Sequence, residues 1–324
     1  MGLRPRSWLE TAGWIGTVIA LLTVVQYLRP PEQSLAWVTL FDAGHAPLFG
    51  VISLAVLRGL TASPLAQRNQ RRFLYLLALG LSVVLAALSE WLQVAAHRNR
   101  DPWDVLHSAI GAGAFLLFAA SRDPQSLVRS NAQSRIRALF CGAAGILLTL
   151  VFVPGVQVGY AYAQRASALP LLCDFKGTWE RRFLATNHAQ LEFIPAPSVN
   201  NEKTAPAWRI HFEPAPFSAF KLLEPYPDWT DYRRLRLVLR SQMADPIVLV
   251  LRVHDRPHDN RAADRFKRDL AILPGTNEFS ISLADIRQAP EGREMNMAAI
   301  ARLNLFVMDA RTQLKLDLLE LRLQ

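Results

Sequence analysis

Apolar residues gather into five long runs in the first half of the chain: Trp8–Leu28, Ala36–Leu57, Phe73–Val94, Val105–Ala120 and Ile136–Tyr162. Each approaches the ~20 residues with which an α-helix crosses a bilayer, so the pattern predicts an all-α transmembrane bundle of about five helices. After Pro170 the period shortens to two. Leu235, Leu237 and Leu239 alternate with Arg236, Val238 and Arg240, Ile247–Val253 is almost continuously apolar, and Asn277–Leu283 and Leu303–Val307 follow. With shorter segments at Asp174–Phe175, Trp208–Phe212 and Phe220–Leu223, these predict roughly eight strands, broken by the Pro-rich stretches Ile194–Pro197 and Glu213–Pro216. In LKLDLLELRLQ the alternation Leu314, Leu316, Leu318 slips to Leu319, Leu321, Leu323. A slip of one residue turns side chains to the wrong face unless an extra residue bulges out, so a β-bulge is predicted near Leu318–Leu319. The chain therefore reads as a multi-domain membrane protein, with a transmembrane helical domain over 1–168 and an all-β jelly-roll sandwich over 169–324.

Charge sharpens this division. Residues 1–170 hold 14 Arg, no Lys and 7 acids, whereas the remainder holds 22 basic residues against 20 acidic ones. The first set of arginines lies at the N-terminus (Arg4, Arg6), in the connection 58–72 and after the fourth run (Arg122, Arg129, Arg135, Arg137), while the alternate connections carry only Arg29, Arg98 and Arg100. Arginine-rich connections stay inside, so the N-terminus is expected to be cytoplasmic and the sandwich extracytoplasmic, in a bacterial inner or plasma membrane. The first run is too long for a cleaved signal and has no small-x-small site before Arg29. No basic stripe or binding motif accompanies the charge, and no nucleic-acid partner is expected. Of the two cysteines, Cys141 lies near the start of the fifth run and Cys173 follows its end, and they predict neither a disulfide nor a metal site.

With that topology, polar residues collect at one depth on three helices. Asp42 and His45 lie in the second run, Glu90 and Gln93 end the third, and Asp101, Asp104 and His107 open the fourth, after Arg98. Each set is spaced by three, which places its members on one helical face. Ionisable groups at the edge of hydrocarbon are tolerated when they face the bundle and pair, so these are candidate site residues. A passive reading stays open, in which they only lock helices together and Trp91 and Trp103 anchor the interface.

The order Asp-x-x-His, Glu-x-x-Gln, then Arg98, Asp104 and Gly111 resembles the VanZ-like membrane family over roughly residues 8–120. That resemblance implies an association with low-level teicoplanin resistance. The chain departs from the family pattern at Ala43, where Lys is frequent, and at His107, where Asn is frequent. Over about 171–324, CDF, DWTDYRRLRLVL, LPGTNEFSISLADI and LKLDLLELRL resemble the galactose-binding-like jelly rolls of carbohydrate-binding modules and of the complex I intermediate-associated family. A glycan or envelope polymer is the partner this implies, beside membrane lipid.

One stretch of the sandwich is dense in polar groups: RVHDRPHDNRAADRFKR, residues 252–268. Its His254, Asp255, Arg256, His258, Asn260, Asp264 and Arg265 are candidate ligand-binding residues, since sugar recognition uses planar, bidentate hydrogen-bonding groups. A self-paired charged loop is the competing reading, and a calcium site from Asp255, Asp259 and Asn260 is a third. No cofactor or metal is called for, and no nucleophile elbow, phosphate-binding glycine loop or zincin motif occurs. Two functions compete: a membrane-anchored glycan-binding accessory protein, or a membrane-interface enzyme that acts on a lipid-linked headgroup through its His, Glu, Asp and Arg cluster.

Overall fold

The computed structural model describes residues 5–32, 34–95, 102–124, 133–173, 178–194, 198–199, 202–203 and 207–324. The chain forms two compact units, one ending at Val158 and one from Gly159 to Gln324. The first unit is helical: α1 (Pro5–Tyr27), α2 (Leu35–Ala62), α3 (Leu65–Arg68), α4 (Arg71–Ala95), α5 (Pro102–Arg122) and α6 (Gln133–Ser167), which continues into the second unit. Five of these, all but α3, are long and apolar enough to cross a membrane. The helices outrun the apolar runs that predict them. α5 starts at Pro102, where a missing N–H and a preset φ suit the first helical position. α2 is capped by the Ser34 hydroxyl, which accepts from the Trp37 N–H at 3.3 Å.

α2 and α5 are the helices packed most closely. A Cβ on Gly111 would run into the backbone of Ala46, and one on Gly50 into the ring of Phe115. Both contacts advance by four residues on each helix, so α2 and α5 run in the same direction. The Ser53 hydroxyl donates to Gly50 O at 2.7 Å, its bond within the helix. Val25, Phe49, Ile52 and Ala86 join α1, α2 and α4, and Leu57, Leu74, Ala78 and Leu116 join α2, α4 and α5. Large apolar side chains such as Leu76, Ile146 and Val156 are exposed, as lipid-facing positions would be.

The second unit is an antiparallel sandwich. In chain order its strands are β1 (Leu171–Cys173), β2 (Leu184–Asn187), β3 (Ala189–Ile194), β4 (Ser198–Val199), β5 (Glu202–Lys203), β6 (Ala207–Phe212), β7 (Ala215–Leu222), β8 (Arg234–Ser241), β9 (Ile247–Asp255), β10 (Phe266–Ile272), β11 (Gly275–Ser282), β12 (Ile300–Ala310) and β13 (Leu314–Leu323), with the short helix α7 (Leu283–Arg287) before β12. One sheet has the order β11-β8-β13-β6-β3, with β1 also on β13; the other has β10-β9-β12-β7-β2. β4 and β5 pair with each other. The core between the sheets is filled by Leu235, Leu237, Leu239, Leu249, Leu251, Val253, Leu303, Leu305, Leu316 and Leu318, all buried. At the tight β10–β11 hairpin, Gly275 takes φ +84, and the Asn277 side chain accepts from Leu273 N–H at 2.9 Å and donates to Leu273 O at 2.7 Å.

The bulge falls where the leucine slip predicts it: the β13–β8 register shifts between Leu318 and Glu320. That shift returns Leu321 and Leu323 to the core. Five of the described strands exceed the expectation, β2, β3, β4, β5 and β10. The polar stretch 252–268 is correspondingly not one loop, because Arg252–Asp255 belong to β9 and Phe266–Arg268 to β10. The strand expected at Asp174–Phe175 lies outside the described residues, directly after β1.

Gly111→Val should separate α2 from α5, since neither backbone can retreat from a core contact without loss of packing. The expected loss is about 1–3 kcal/mol, read as a lower thermal midpoint in detergent, whereas Gly113→Ala, with nothing within 4 Å of its Cβ position, should leave the midpoint unchanged.

Candidate functional site

In the helical unit, α2, α4 and α5 bring together three of the predicted polar residues. His45 Nε2 lies 3.7 Å from Asp104 Oδ2, and one ligating atom each of His45, Glu90 and Asp104 falls within 4.8 Å of the others. Glu90 and Gln93 are buried, and Gln93 Nε2 donates to Glu90 Oε1 at 2.9 Å, as their spacing on one face predicts. Gln26 of α1 fixes the same turn of α4, donating to the Ser89 hydroxyl at 2.8 Å. The close α2–α5 contact at Gly111 is what holds His45 opposite Asp104, because Ala46 is the residue Gly111 abuts. His107, one turn beyond Asp104, has a buried Nδ1 with no hydrogen-bond partner among the described residues. Asp42, one turn before His45, is half-buried. Arg98 and Asp101 lie outside the described residues. An imidazole beside two carboxylates can exchange a proton, and one nitrogen with two oxygens is also a donor set that a divalent cation accepts.

A separate apolar cavity of about 580 Å³ lies between α4, α5 and α6, lined by Arg72, Tyr75, Leu76, Leu79, Leu116, Leu117, Ile136 and Phe140 among others. None of the predicted polar residues among the described ones lines it. Near it Arg71 Nε pairs with Asp123 at 2.8 Å, and the Tyr75 hydroxyl donates to the same carboxylate at 3.1 Å.

In the sandwich, the polar stretch divides by function. Asp255 is fully buried and receives both guanidinium nitrogens of Arg293, at 2.6 and 2.8 Å, and the Asn296 N–H at 2.7 Å. Arg293 Nε donates to Asp264 at 2.5 Å, and the Asp259 N–H to Asp264 Oδ2 at 2.9 Å. His258 Nδ1 donates to Asp264 O at 2.6 Å. Burial alone would raise the Asp255 carboxyl, yet Arg293 and the Asn296 N–H hold it below its ordinary range. Arg293 and the Asp259 N–H hold Asp264 well below the carboxylate range. Of the residues in the calcium alternative, Asp255 has both oxygens bonded to Arg293, and the Asp259 carboxylate accepts from Arg261. His258, Asp259 and Asp264 do offer ligating atoms within 4.8 Å, but the Asp259 and Asp264 oxygens are likewise engaged in hydrogen bonds. Arg256 and Asn260 are exposed in the connection between β9 and β10, Asn260 at φ 70.

His254 and Arg265 belong elsewhere, on the face of the five-stranded sheet turned away from the core. Ladder pairing sets His254 opposite Arg302 and Arg252 opposite Asn304, which itself faces Lys221. Burial pushes the Arg252 guanidinium down, helped by Arg265 and Arg302, and lowers Lys221, helped by Arg302 and Arg252. His254 is pushed down to about 4, first by burial and then by His258, Arg252 and Arg302, so it is neutral at pH 7. Beside these groups lie Phe217 and Phe306, ring centroids 5.0 Å apart, packed with Ala219 and Val250. Sequence reasoning missed Lys221, Arg302, Asn304 and Arg293. For Arg302 and Asn304 the signal was present, as polar residues alternating with Leu303 and Leu305.

No family model matches the chain, and no curated protein matches it. Among solved structures it is similar to an exo-beta-agarase, at 16% identity and a TM-score of 0.39, over 48% of this chain and 24% of the agarase. It is also similar to the family 11 carbohydrate-binding module from Clostridium thermocellum in complex with a beta-1,3-1,4-mixed-linked tetrasaccharide, at 11% identity and a TM-score of 0.36, over 47% of this chain and 93% of the module. The family 30 module of a Clostridium thermocellum cellulosomal cellulase follows at 10% identity and a TM-score of 0.32, over 44% and 90%. The chain thus spans about a quarter of the agarase.

Arg293→Ala should leave Asp255 as a buried charge without its counter-ion, at a loss on the order of 3 kcal/mol in unfolding free energy. Because Asp255 and Asp264 are held below the ordinary value of 3.8, their stabilisation is full above that value and is lost as pH falls through the lowered ones. Acid titration of the sandwich signal should therefore be flatter in Arg293→Ala than in the parent.

Proposed function

We propose that this is a membrane-anchored protein of the cell envelope whose sandwich binds a glycan next to the bilayer. The observation that carries the reading is the outward face of the five-stranded sheet. There the planar groups of Arg252, His254, Arg302 and Asn304 sit on adjacent strands beside the Phe217–Phe306 ring pair. A sugar presents hydroxyls at its rim and C–H groups on its faces, and such a surface offers partners for both. The arginine distribution supports an extracytoplasmic sandwich, and tethering would raise its effective concentration at the membrane surface. The ordered polar set on α2, α4 and α5 resembles the VanZ-like family, which supports a link to envelope polymer or glycopeptide-antibiotic response.

The full chain in detergent micelles, titrated calorimetrically with a panel of neutral and acidic envelope glycans, should bind at least one of them saturably. Phe217→Ala should weaken that binding roughly fivefold to tenfold. Absence of saturable binding across the panel would end this reading.

The convergence of His45, Glu90 and Asp104 supports a second one, in which the helical cluster acts on a lipid-linked headgroup at the membrane interface. Glu90→Gln keeps an oxygen to accept from Gln93 but removes the charge. It should retain helical circular dichroism and change which anionic lipids co-purify. Unchanged lipids together with an unchanged envelope phenotype would make the cluster a packing device.

A further inference from the structure

The two sheets treat their outward-facing cations in opposite ways. On the six-stranded sheet, arginines at its centre are matched by acids across neighbouring strands, while Arg234 donates to the Ser280 hydroxyl. Arg209 donates to both oxygens of Asp317, at 2.7 and 3.2 Å, and Arg236 lies 2.6 Å from Glu278 and 2.5 Å from Glu320. His211 lies 2.8 Å from Glu192 on the same sheet. Hydrogen bonding to these acids raises both guanidinium groups, Arg209 and Arg236, above their ordinary value.

On the five-stranded sheet the outward rows read differently. Lys221 on β7, Arg302 and Asn304 on β12, Arg252 and His254 on β9, and Arg265 immediately before β10 form one neighbourhood with four cations, and Lys267, opposite Arg252, adds a fifth at the edge. Among the described residues no carboxylate pairs with any of the four. The Nε atoms of Arg252, Arg265 and Arg302 are buried without a hydrogen-bond partner, as are Oδ1 of Asn304, itself 4% exposed, and Nε2 of His258. Mutual repulsion adds to burial in lowering Arg252 and Lys221. The acid on this face, Asp269, is exposed and lies 3.9 Å from Lys267 on the edge strand. Like charges set opposite one another destabilise a sheet, and a buried donor left unmatched is expensive. A fold that pairs Arg209 and Arg236 with acids on one sheet and leaves four neighbouring cations without them on the other has left room for an anion.

We infer that this face binds an acidic glycan, whose carboxylate or phosphate groups are held by Lys221, Arg252, Arg265 and Arg302. The inference rests on the glycan-binding reading above and specifies its ligand class. Strands spaced at roughly 4.8 Å spread the four cations over about 14 Å from β7 to β10, which suits repeating acidic groups better than one. Arginine supplies the paired donors that planar carboxylate and tetrahedral phosphate accept. The Phe217–Phe306 pair and the exposed Met308 and Val248 continue the face on its apolar side, where an ion alone would find no partner. Asn304 Oδ1 and neutral His254 remain to read hydroxyls.

The test uses the full chain in zwitterionic micelles at fixed salt, titrated with oligogalacturonate, a glycerol-phosphate polymer and a neutral glucan of matched length, with phosphatidylglycerol vesicles as a separate arm. Binding of either acidic polymer at least tenfold tighter than of the glucan is expected, and it should weaken as salt rises. Whether the uronate or the phosphate polymer binds better identifies the source of the acid. Arg252→Gln and Arg302→Gln should each reduce acidic-polymer affinity about tenfold, while Arg236→Gln on the other sheet should not. Glucan binding equal to or tighter than that of both acidic polymers overturns this inference and leaves glycan binding standing. No binding by any polymer overturns both, and binding confined to the anionic vesicles overturns both in favour of a membrane contact. Unchanged acidic-polymer affinity in folded Arg252→Gln and Arg302→Gln also overturns it.

Discussion

A charge removed from water needs an opposite charge or several hydrogen bonds within a few ångströms, or it neutralises or unfolds what surrounds it. Much of this protein can be read from how that demand is met. In the sandwich, Arg293 lies between Asp255 and Asp264 and so fixes the end of β9, the connection to β10 and the segment before β12 in one arrangement. In the helical unit, Glu90 is buried where Gln93 on its own face donates to it and α2 and α5 bring His45 and Asp104 near.

The same demand explains how the two sheets diverge in use. On the six-stranded sheet, Asp317 holds Arg209 and Glu278 and Glu320 hold Arg236. The five-stranded sheet concentrates positive charge on strands that also carry aromatic rings. It is held to that arrangement from behind by a leucine-rich core and, at one end, by the Arg293 clamp. The clamp therefore positions Arg252 and Arg265, at either side of the connection it secures, without touching anything they would bind.

Much of the architecture was legible in the chain. Apolar runs of bilayer length became α1, α2, α4, α5 and α6, and the spacing of Glu90 and Gln93 became a hydrogen bond. The leucine slip near Leu319 became a register shift. What was not legible has physical reasons. Arg293 lies 38 residues from Asp255 and 29 from Asp264, so no local spacing announces it. β10 was absorbed into a polar stretch because its outward residues, Lys267 and Asp269, are charged and its first residues continue a charged connection. Arg302, Asn304 and Lys221 lie within or beside apolar strand segments, and no local spacing singles them out. They come together only when pairing sets β9, β12 and β7 side by side.

The order of strands in the two sheets carries a consequence for how the chain is made. β12 lies in the middle of the five-stranded sheet, and β13 lies in the middle of the six-stranded one, yet both follow every other strand in sequence. Until residues 300–323 have been synthesised, β9 has no bond to β7 and β8 has none to β6, so neither sheet can close. Even β1, the first strand after the helices, waits for β13. The pairs β2–β7, β3–β6, β8–β11 and β9–β10 can form earlier, but both layers close only when the last two strands arrive. Until then the inner, leucine-rich faces of four separate strand pairs stay uncovered.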